Sequence, residues 1–155
     1  RPAALADTAY GQGQALVTPL DMAQMVAIIA NGGQVMRPYL VRQVRGPDGL
    51  LYTGQPEVLR EAISPQTAQL MRDLMRDSVN LGYASPAAIQ NVTVGGKTGT
   101  AEVPTGAPHS WFVAIAPVEQ PRFAIAVVVE NGGEGSQSAL PVARQVLIAA
   151  LNMQF

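Results

Sequence analysis

Val92-Thr93-Val94-Gly95-Gly96-Lys97-Thr98-Gly99-Thr100-Ala101-Glu102 is the stretch on which the reading of this chain turns. Lys97 is the only lysine in the sequence, set between a glycine pair and a Thr-Gly-Thr run. An isolated lysine is most often a solvated surface charge, but its neighbours here argue otherwise. Val92 and Val94 alternate with polar or small residues, as in a half-buried strand. Three glycines within residues 95–99 weaken that strand as a packing unit and mark a place where something approaches the backbone closely. A lysine, two hydroxyls and an edge without side chains form a platform for a ligand that carries negative charge.

Working outward, the 155 residues and 48% hydrophobic content suit one globular domain with a real core. A formal net charge of -1, with the arginines scattered along the chain, offers no stripe for nucleic acid. Cysteine is absent, which excludes disulfides and thiolate sites, and the single His109 cannot build a histidine metal site. No cofactor and no metal are expected. The start at Arg1-Pro2 lacks an initiator methionine and a leader, and is expected to be the middle of a longer polypeptide. No apolar run approaches the ~20 residues needed to cross a bilayer, so a membrane anchor is expected outside this chain.

Residues 6–17, with Gly11-Gln12-Gly13-Gln14, read as loop. Thr18-Pro19-Leu20-Asp21 predicts a helix start: Thr18 caps, Pro19 takes the first helical position and Asp21 completes a capping box. That helix runs to Ala30 or Asn31, stops at Gly32-Gly33, and is apolar almost all round, which predicts burial. Residues 35–44 predict an extended segment. Gly46-Pro47-Asp48-Gly49 turns it and residues 50–52 return as a short strand. Gly54-Gln55-Pro56 breaks that strand, and residues 59–63 give one more extended piece.

Ser64-Pro65 opens a second helix ending at Gly82, with Leu70, Met71, Leu74, Met75 and Val79 as its apolar stripe and Arg72, Asp73, Arg76 and Asp77 on the wetter side. Residues 92–103, 110–116 and 122–130 predict three antiparallel strands. Asn131-Gly132-Gly133-Glu134-Gly135 reads as a flexible break before a final helix over residues 138–151, with Val142, Val146, Ala149 and Ala150 on its apolar side.

Gly-Lys-Thr invites a phosphate-loop reading, but that loop requires a glycine five residues before Gly96, where Asn91 stands, and a helix after the lysine rather than a strand. Trp111-Phe112 reads as core rather than as an aromatic shelf. His109 has no carboxylate partner in view, and Glu102 is expected to end the strand in a polar network.

Gly96-Lys97-Thr98-Gly99-Thr100-Ala101-Glu102, followed by His109-Ser110-Trp111-Phe112 and Val128-Val129-Glu130-Asn131-Gly132, resembles the final third of the transpeptidase domain of penicillin-binding proteins. Gly11-Gln12-Gly13, Thr18-Pro19-Leu20-Asp21-Met22-Ala23 and Ala30-Asn31-Gly32-Gly33 resemble the same family's segment between its second and third motifs. The blocks cover nearly the whole chain in the family's order. The serine, lysine and asparagine system of that family uses three motifs, and this sequence carries one. Ser-x-x-Lys is absent, because Val94 stands three residues before the only lysine. Ser78-Val79-Asn80 matches the letters of Ser-x-Asn but follows the Gly-Gln-Gly block instead of preceding it, and reads as the end of a helix.

The resemblance implies an α/β fold of the α+β type, an antiparallel sheet flanked by helices as in serine β-lactamases and transpeptidases, incomplete in this chain. The chain is then the C-terminal segment of a single domain of a monofunctional, class B enzyme. Lys97 holds the hydrogen-bond network of the active site and attracts a substrate carboxylate; Thr98 and Thr100 supply hydroxyls to it; the backbone N–H of Thr100 joins the oxyanion hole. Gly99 lets a peptide lie along the strand as an added edge.

One puzzle accompanies this assignment, since alternation places Lys97 on the face opposite Thr98 and Thr100. The implied partners are the N-terminal remainder of the protein with its nucleophile, peptidoglycan stem peptides, β-lactams and cell-wall synthesis proteins. The implied location is the outer face of a bacterial plasma membrane, and this chain alone is expected to be inactive. A non-enzymatic scaffold or a β-lactam sensor of the same fold is the alternative.

Overall fold

A computed structural model describes residues 2–13 and 15–153. Helix α1 (Pro2–Ala9) comes first, so residues 6–9 are helical where loop was expected. The alanines of this segment favour helix over any signal from the glycines that follow. Gln14, read with the loop, and Arg1 lie outside the described residues.

Helix α2 (Pro19–Ala30) starts as its sequence dictates. The Asp21 N–H donates to Thr18 Oγ1 at 3.1 Å, and the Thr18 N–H and hydroxyl donate to Asp21 Oδ2 at 2.9 and 2.7 Å. These bonds, the side-chain one first, hold the Asp21 carboxyl below its ordinary value of 3.8. The stability they lend is therefore complete above pH 3.8 and lost as pH falls through the depressed folded value. Thr18→Ala should cost about 1 kcal/mol as a lost cap and flatten this acid dependence; urea midpoints at neutral and acid pH check both.

Strands β1 (Gln34–Met36) and β2 (Gln43–Gly46) divide what was expected as one extended segment. The hairpin falls where the Pro-Asp-Gly turn predicts: β2 pairs β3 (Gly49–Thr53) in antiparallel register. β1 instead pairs β4 (Val58–Glu61), an association of distant segments that local patterning does not reveal. Helix α3 (Pro65–Leu81) is capped by Ser64, whose hydroxyl accepts from the Thr67 N–H, and ends at Gly82. A short 3-10 turn, Ser85–Ala87, leads toward the main sheet.

That sheet has strands β5 (Gly95–Ala101), β6 (His109–Ala116) and β7 (Phe123–Val129) in spatial order 5-6-7, all antiparallel, so β5 is an edge. β5 is shorter than the expected 92–103 strand: Val92 joins only an isolated bridge to Ile89, and Asn91 between them takes φ 64°. Helix α4 (Ala139–Leu151) packs with Phe112, Ala114 and Ala116 on one face of the sheet. Helices α2 and α3 pack with Val113 and Ile115 on the other. Each face has its own core, as a sheet covered by helices on both sides requires.

Three apolar faces differ from expectation. α4 buries Leu140, Ala143 and Leu147, whereas Val142 and Val146 are exposed. This helix is apolar on most sides, and periodicity alone cannot choose between two equally apolar stripes. α3 buries Ala68, Met75 and Val79 but exposes Leu70, Met71 and Leu74. α2, expected to be buried, covers Val26, Ile29 and Ala30 while Leu20 and Met25 remain exposed. On the wetter side of α3, Arg72 reaches back to the Ala30 carbonyl at 3.3 Å and ties the C-terminus of α2 to α3.

Candidate active site

The register of β5 explains where each side chain of the Lys-Thr-Gly-Thr run goes. Lys97 stands opposite Val113 and Gly99 opposite Trp111, on the face toward α2 and α3. Thr98 stands opposite Phe112 and Thr100 opposite Ser110, on the face toward α4. Alternation therefore holds, and the lysine resolves the conflict by its length. Its stem curls round the free edge, and Nζ donates to the Thr98 carbonyl at 2.6 Å. An ammonium carries three hydrogens, so two donors remain on an exposed cation beside the open strand edge.

The edge itself is partly occupied. Gln12 Nε2 donates to the Thr100 carbonyl at 2.8 Å, and its Oε1 accepts from the Glu102 N–H at 3.2 Å. In an antiparallel strand the N–H and C=O of one residue point to the same side. The Thr100 N–H accordingly faces the same free edge as its carbonyl. On the α4 side the Thr100 hydroxyl donates to Glu134 Oε2 at 3.1 Å.

Beneath the lysine lies a groove of about 330 Å³ between α2, α3 and the sheet. Met22, Met25, Met71 and Leu74 form its apolar walls, with Lys97, Gly99 and Trp111 along the sheet side. A side chain on Gly99 would place its Cβ 3.2 Å from the Cβ of Trp111, so glycine keeps this end of the groove open. Phe112 is fully buried, as expected of core, but Trp111 is half-buried and lines the groove, which corrects the joint reading of the pair as core.

Ser78 also lines this groove, from the last turn of α3, where its carbonyl accepts from the Gly82 and Ala84 N–H groups. Val79 is buried and Asn80 is exposed away from the groove, so Ser78-Val79-Asn80 does not present a serine and an asparagine to one site. His109 Nδ1 accepts from the Asn131 N–H at 3.0 Å, a tie between β6 and the loop after β7. Glu102 contributes its backbone to the Gln12 contact.

The segment Asn131-Gly132-Gly133-Glu134-Gly135, expected to be a flexible break, is tied down. The Gly133 N–H donates to the Pro108 carbonyl at 2.9 Å and the Asn131 side chain to the Ala107 carbonyl at 2.9 Å. Ser110, fully buried on β6, donates to the Glu134 carbonyl at 2.9 Å and accepts from the Ala139 N–H at 2.9 Å. Ser138, at the N-cap of α4, makes no capping bond, so Ser110 caps that helix from the sheet. Ser110→Ala would leave the buried Ala139 N–H without its partner, while the Glu134 carbonyl keeps the Gln137 and Ser138 N–H groups, at a cost of about 1–3 kcal/mol. A fall in the urea midpoint of the full-length protein checks this; an unchanged midpoint contradicts it.

Sequence reading assigned no role to Gln12, Glu134, Gly135 or Ser110. Gln12 and Gly135 were signalled by their glycine neighbours, since short glycine runs mark close backbone approach. Nothing in the linear sequence points to Glu134 or Ser110 as partners of β5 and α4. Among the described residues no group of three or more His, Cys, Asp or Glu could hold a metal ion, and no helix is long and apolar enough to cross a membrane.

An antiparallel sheet with helices on both faces and a Lys-Thr-Gly-Thr run on its free edge defines a class of protein, and comparison identifies it. Residues 2–148 match the family model described as penicillin binding protein transpeptidase domain, and the chain belongs to that family, in its class B branch. It is 42% identical to the peptidoglycan D,D-transpeptidase PbpA of Mycolicibacterium smegmatis, over 96% of this chain and 32% of that protein. With the peptidoglycan D,D-transpeptidase MrdA of Haemophilus influenzae it shares 32% identity over 93% of this chain and 25% of that protein. Among solved structures, penicillin-binding protein A from M. tuberculosis as an imipenem acyl-enzyme complex superposes with a TM-score of 0.90 at 42% identity, covering 98% of this chain and 35% of that one. The chain thus spans a quarter to about a third of the length of these relatives.

Proposed function

We propose that this chain is the substrate-docking wall of a serine D,D-transpeptidase that cross-links peptidoglycan stem peptides through an acyl-enzyme. Single-handedly, the edge geometry carries the reading: Lys97 Nζ sits on the Thr98 carbonyl at the rim of an open strand, and the Thr100 N–H faces that same edge. A peptide ending in a carboxylate fits this arrangement. Its terminal charge meets Lys97 and the Thr98 hydroxyl, and the Thr100 hydroxyl once that turns from Glu134 Oε2, and its backbone adds to β5 as a further strand. The scissile carbonyl then lies against the Thr100 N–H, which donates to the oxyanion as the tetrahedral intermediate forms. β-Lactams enter by the same contacts, in keeping with the imipenem acyl-enzyme of the M. tuberculosis relative.

The nucleophilic serine, its lysine partner and the serine-asparagine motif belong, in this reading, to the N-terminal remainder of the same protein. Support comes from the apolar groove beside Lys97 and from the exposed Met25, Met71 and Leu74 around it. Apolar walls of this kind are covered in a finished domain, and a segment seated there would stand next to the ammonium. The protein acts on the outer face of the plasma membrane, where peptidoglycan is built, held by an anchor outside this chain. The chain without its remainder is inactive.

Labelling the full-length protein with a fluorescent penicillin tests the function. A covalent adduct on a single serine outside residues 1–155 is the expected result. Absence of an adduct, in protein shown to be folded, would favour a scaffold of the same fold. An adduct that forms but blocks no cross-linking would point to a sensor.

A further inference from the structure

The Gln12 side chain does on the edge of β5 what a neighbouring strand would do. A carboxamide has the same donor and acceptor as a peptide unit, and this one gives its N–H to the Thr100 carbonyl at 2.8 Å and takes the Glu102 N–H at 3.2 Å. Those two groups are ones that an added antiparallel strand would pair with, the Thr100 carbonyl with the N–H of the residue opposite it and the Glu102 N–H with the carbonyl two residues earlier. The Thr100 carbonyl has a second lone pair and can still accept from a ligand. The Glu102 N–H has one hydrogen, and Gln12 takes it.

We propose that Gln12 is a specificity-determining stop, ending the peptide-docking edge of β5 at Thr100. The inference rests on the transpeptidase reading above and gives it a direction and a length. With the ligand carboxylate at Lys97, a peptide paired to residues 98–100 must run antiparallel to β5, so its amino-terminal side points toward Glu102. There it meets the Gln12 carboxamide and turns away from the strand. The enzyme therefore reads the carboxy-terminal end of its donor peptide by backbone pairing and leaves the rest unread.

The glycines on either side of Gln12, with φ of 85° at Gly11 and 92° at Gly13, let the loop deliver the side chain to the edge from outside the strand. Selection of the donor's terminus over its length follows from this one residue, because each peptide unit added along the edge would otherwise contribute further hydrogen bonds.

Two thioesters of an acyl-D-alanine with a carboxylate on the thiol test this in the full-length protein. One is short, and the other carries two more residues on its amino side. In acylation the bond from serine Oγ to the carbonyl carbon forms, the C–S bond breaks, and the serine proton leaves with the thiol. The wild type is expected to acylate with both at similar efficiency. In Gln12→Ala the Glu102 N–H becomes free to pair with the longer ester, whose kcat/KM relative to the short one should rise about fivefold, the worth of one net hydrogen bond. Gln12→Met, which keeps the length of the side chain but removes both polar ends, should do the same. A purely structural role for Gln12 would lower both efficiencies together and leave their ratio unchanged, and that result overturns the stop. A folded wild type that reacts with neither ester defeats the transpeptidase reading, and this inference falls with it.

Discussion

Replacing Lys97 by alanine in the full-length protein is expected to raise the barrier to acylation by ~2 to 4 kcal/mol, the range found for removal of a single group that stabilises developing charge. In rate this is about 30- to 1000-fold. The physical basis is local. Lys97 is the only lysine of the chain, and its Nζ lies on the free edge of β5, bonded to the Thr98 carbonyl at 2.6 Å. In the proposed reading alanine removes the cation that meets the ligand carboxylate, together with its bond to the Thr98 carbonyl, while the strand keeps its register with β6 through the backbone. Folding should therefore be little changed. The rate of covalent penicillin binding at several concentrations separates weaker capture from slower chemistry, and acylation at the wild-type rate would refute the role of the lysine.

Gly135→Ala carries a large expected effect on stability and on acylation together. The added Cβ would lie 2.6 Å from the Gly99 carbonyl oxygen, 2.6 Å from that of Trp111 and 2.8 Å from the Gly99 nitrogen. All three are backbone atoms of paired strands, so no side chain can swing aside to make room. Overpacking in a core costs about 1–3 kcal/mol when side chains can adjust, and a clash against two strand backbones belongs at or above the top of that range, about 3 kcal/mol. The Gly135 carbonyl also accepts from the Leu140 N–H at 3.0 Å, which ties the clash to the first turn of α4. Whatever protein folds should acylate slowly too, because the shifted Gly99-Thr100 peptide carries the N–H to which the proposed function gives the oxyanion, and misplacement by about 1 Å can cost 100-fold. Urea denaturation and penicillin binding on one preparation check both effects; wild-type values in both contradict the packing described here.

Elements with a local cause were legible in the sequence. The Thr18 capping box, the Ser64-Pro65 helix start and the Pro-Asp-Gly hairpin each depend on residues within four positions of one another, and all three stand where the residues require them. Long-range association was not legible: β1 pairs with β4 across the intervening hairpin, and Ser110 caps a helix 29 positions away.

Helix faces failed for a related reason. α4 is apolar on most sides, and α2 and α3 carry Met25, Met71 and Leu74, which the sequence marks as buried but which line an open groove in this chain. A hydrophobic stripe records what a residue packs against in the whole protein, and this chain spans about a third of its relatives. In the site, the Lys-Thr-Gly-Thr run announced itself through composition and family likeness together. The reach of Lys97 round the edge, the grip of Gln12 and the contact with Glu134 depend on side-chain length and register, which a linear pattern does not encode.

The most direct test is a crystal structure of the full-length protein acylated by a β-lactam. The expected result is the acyl carbonyl oxygen within hydrogen-bond distance of the Thr100 N–H, the ligand carboxylate against Lys97 and the Thr98 hydroxyl with the Thr100 hydroxyl turned from Glu134 toward it, and the Gln12 carboxamide still on the Glu102 N–H. A ligand bound elsewhere, or an acyl oxygen turned away from Thr100, would contradict it.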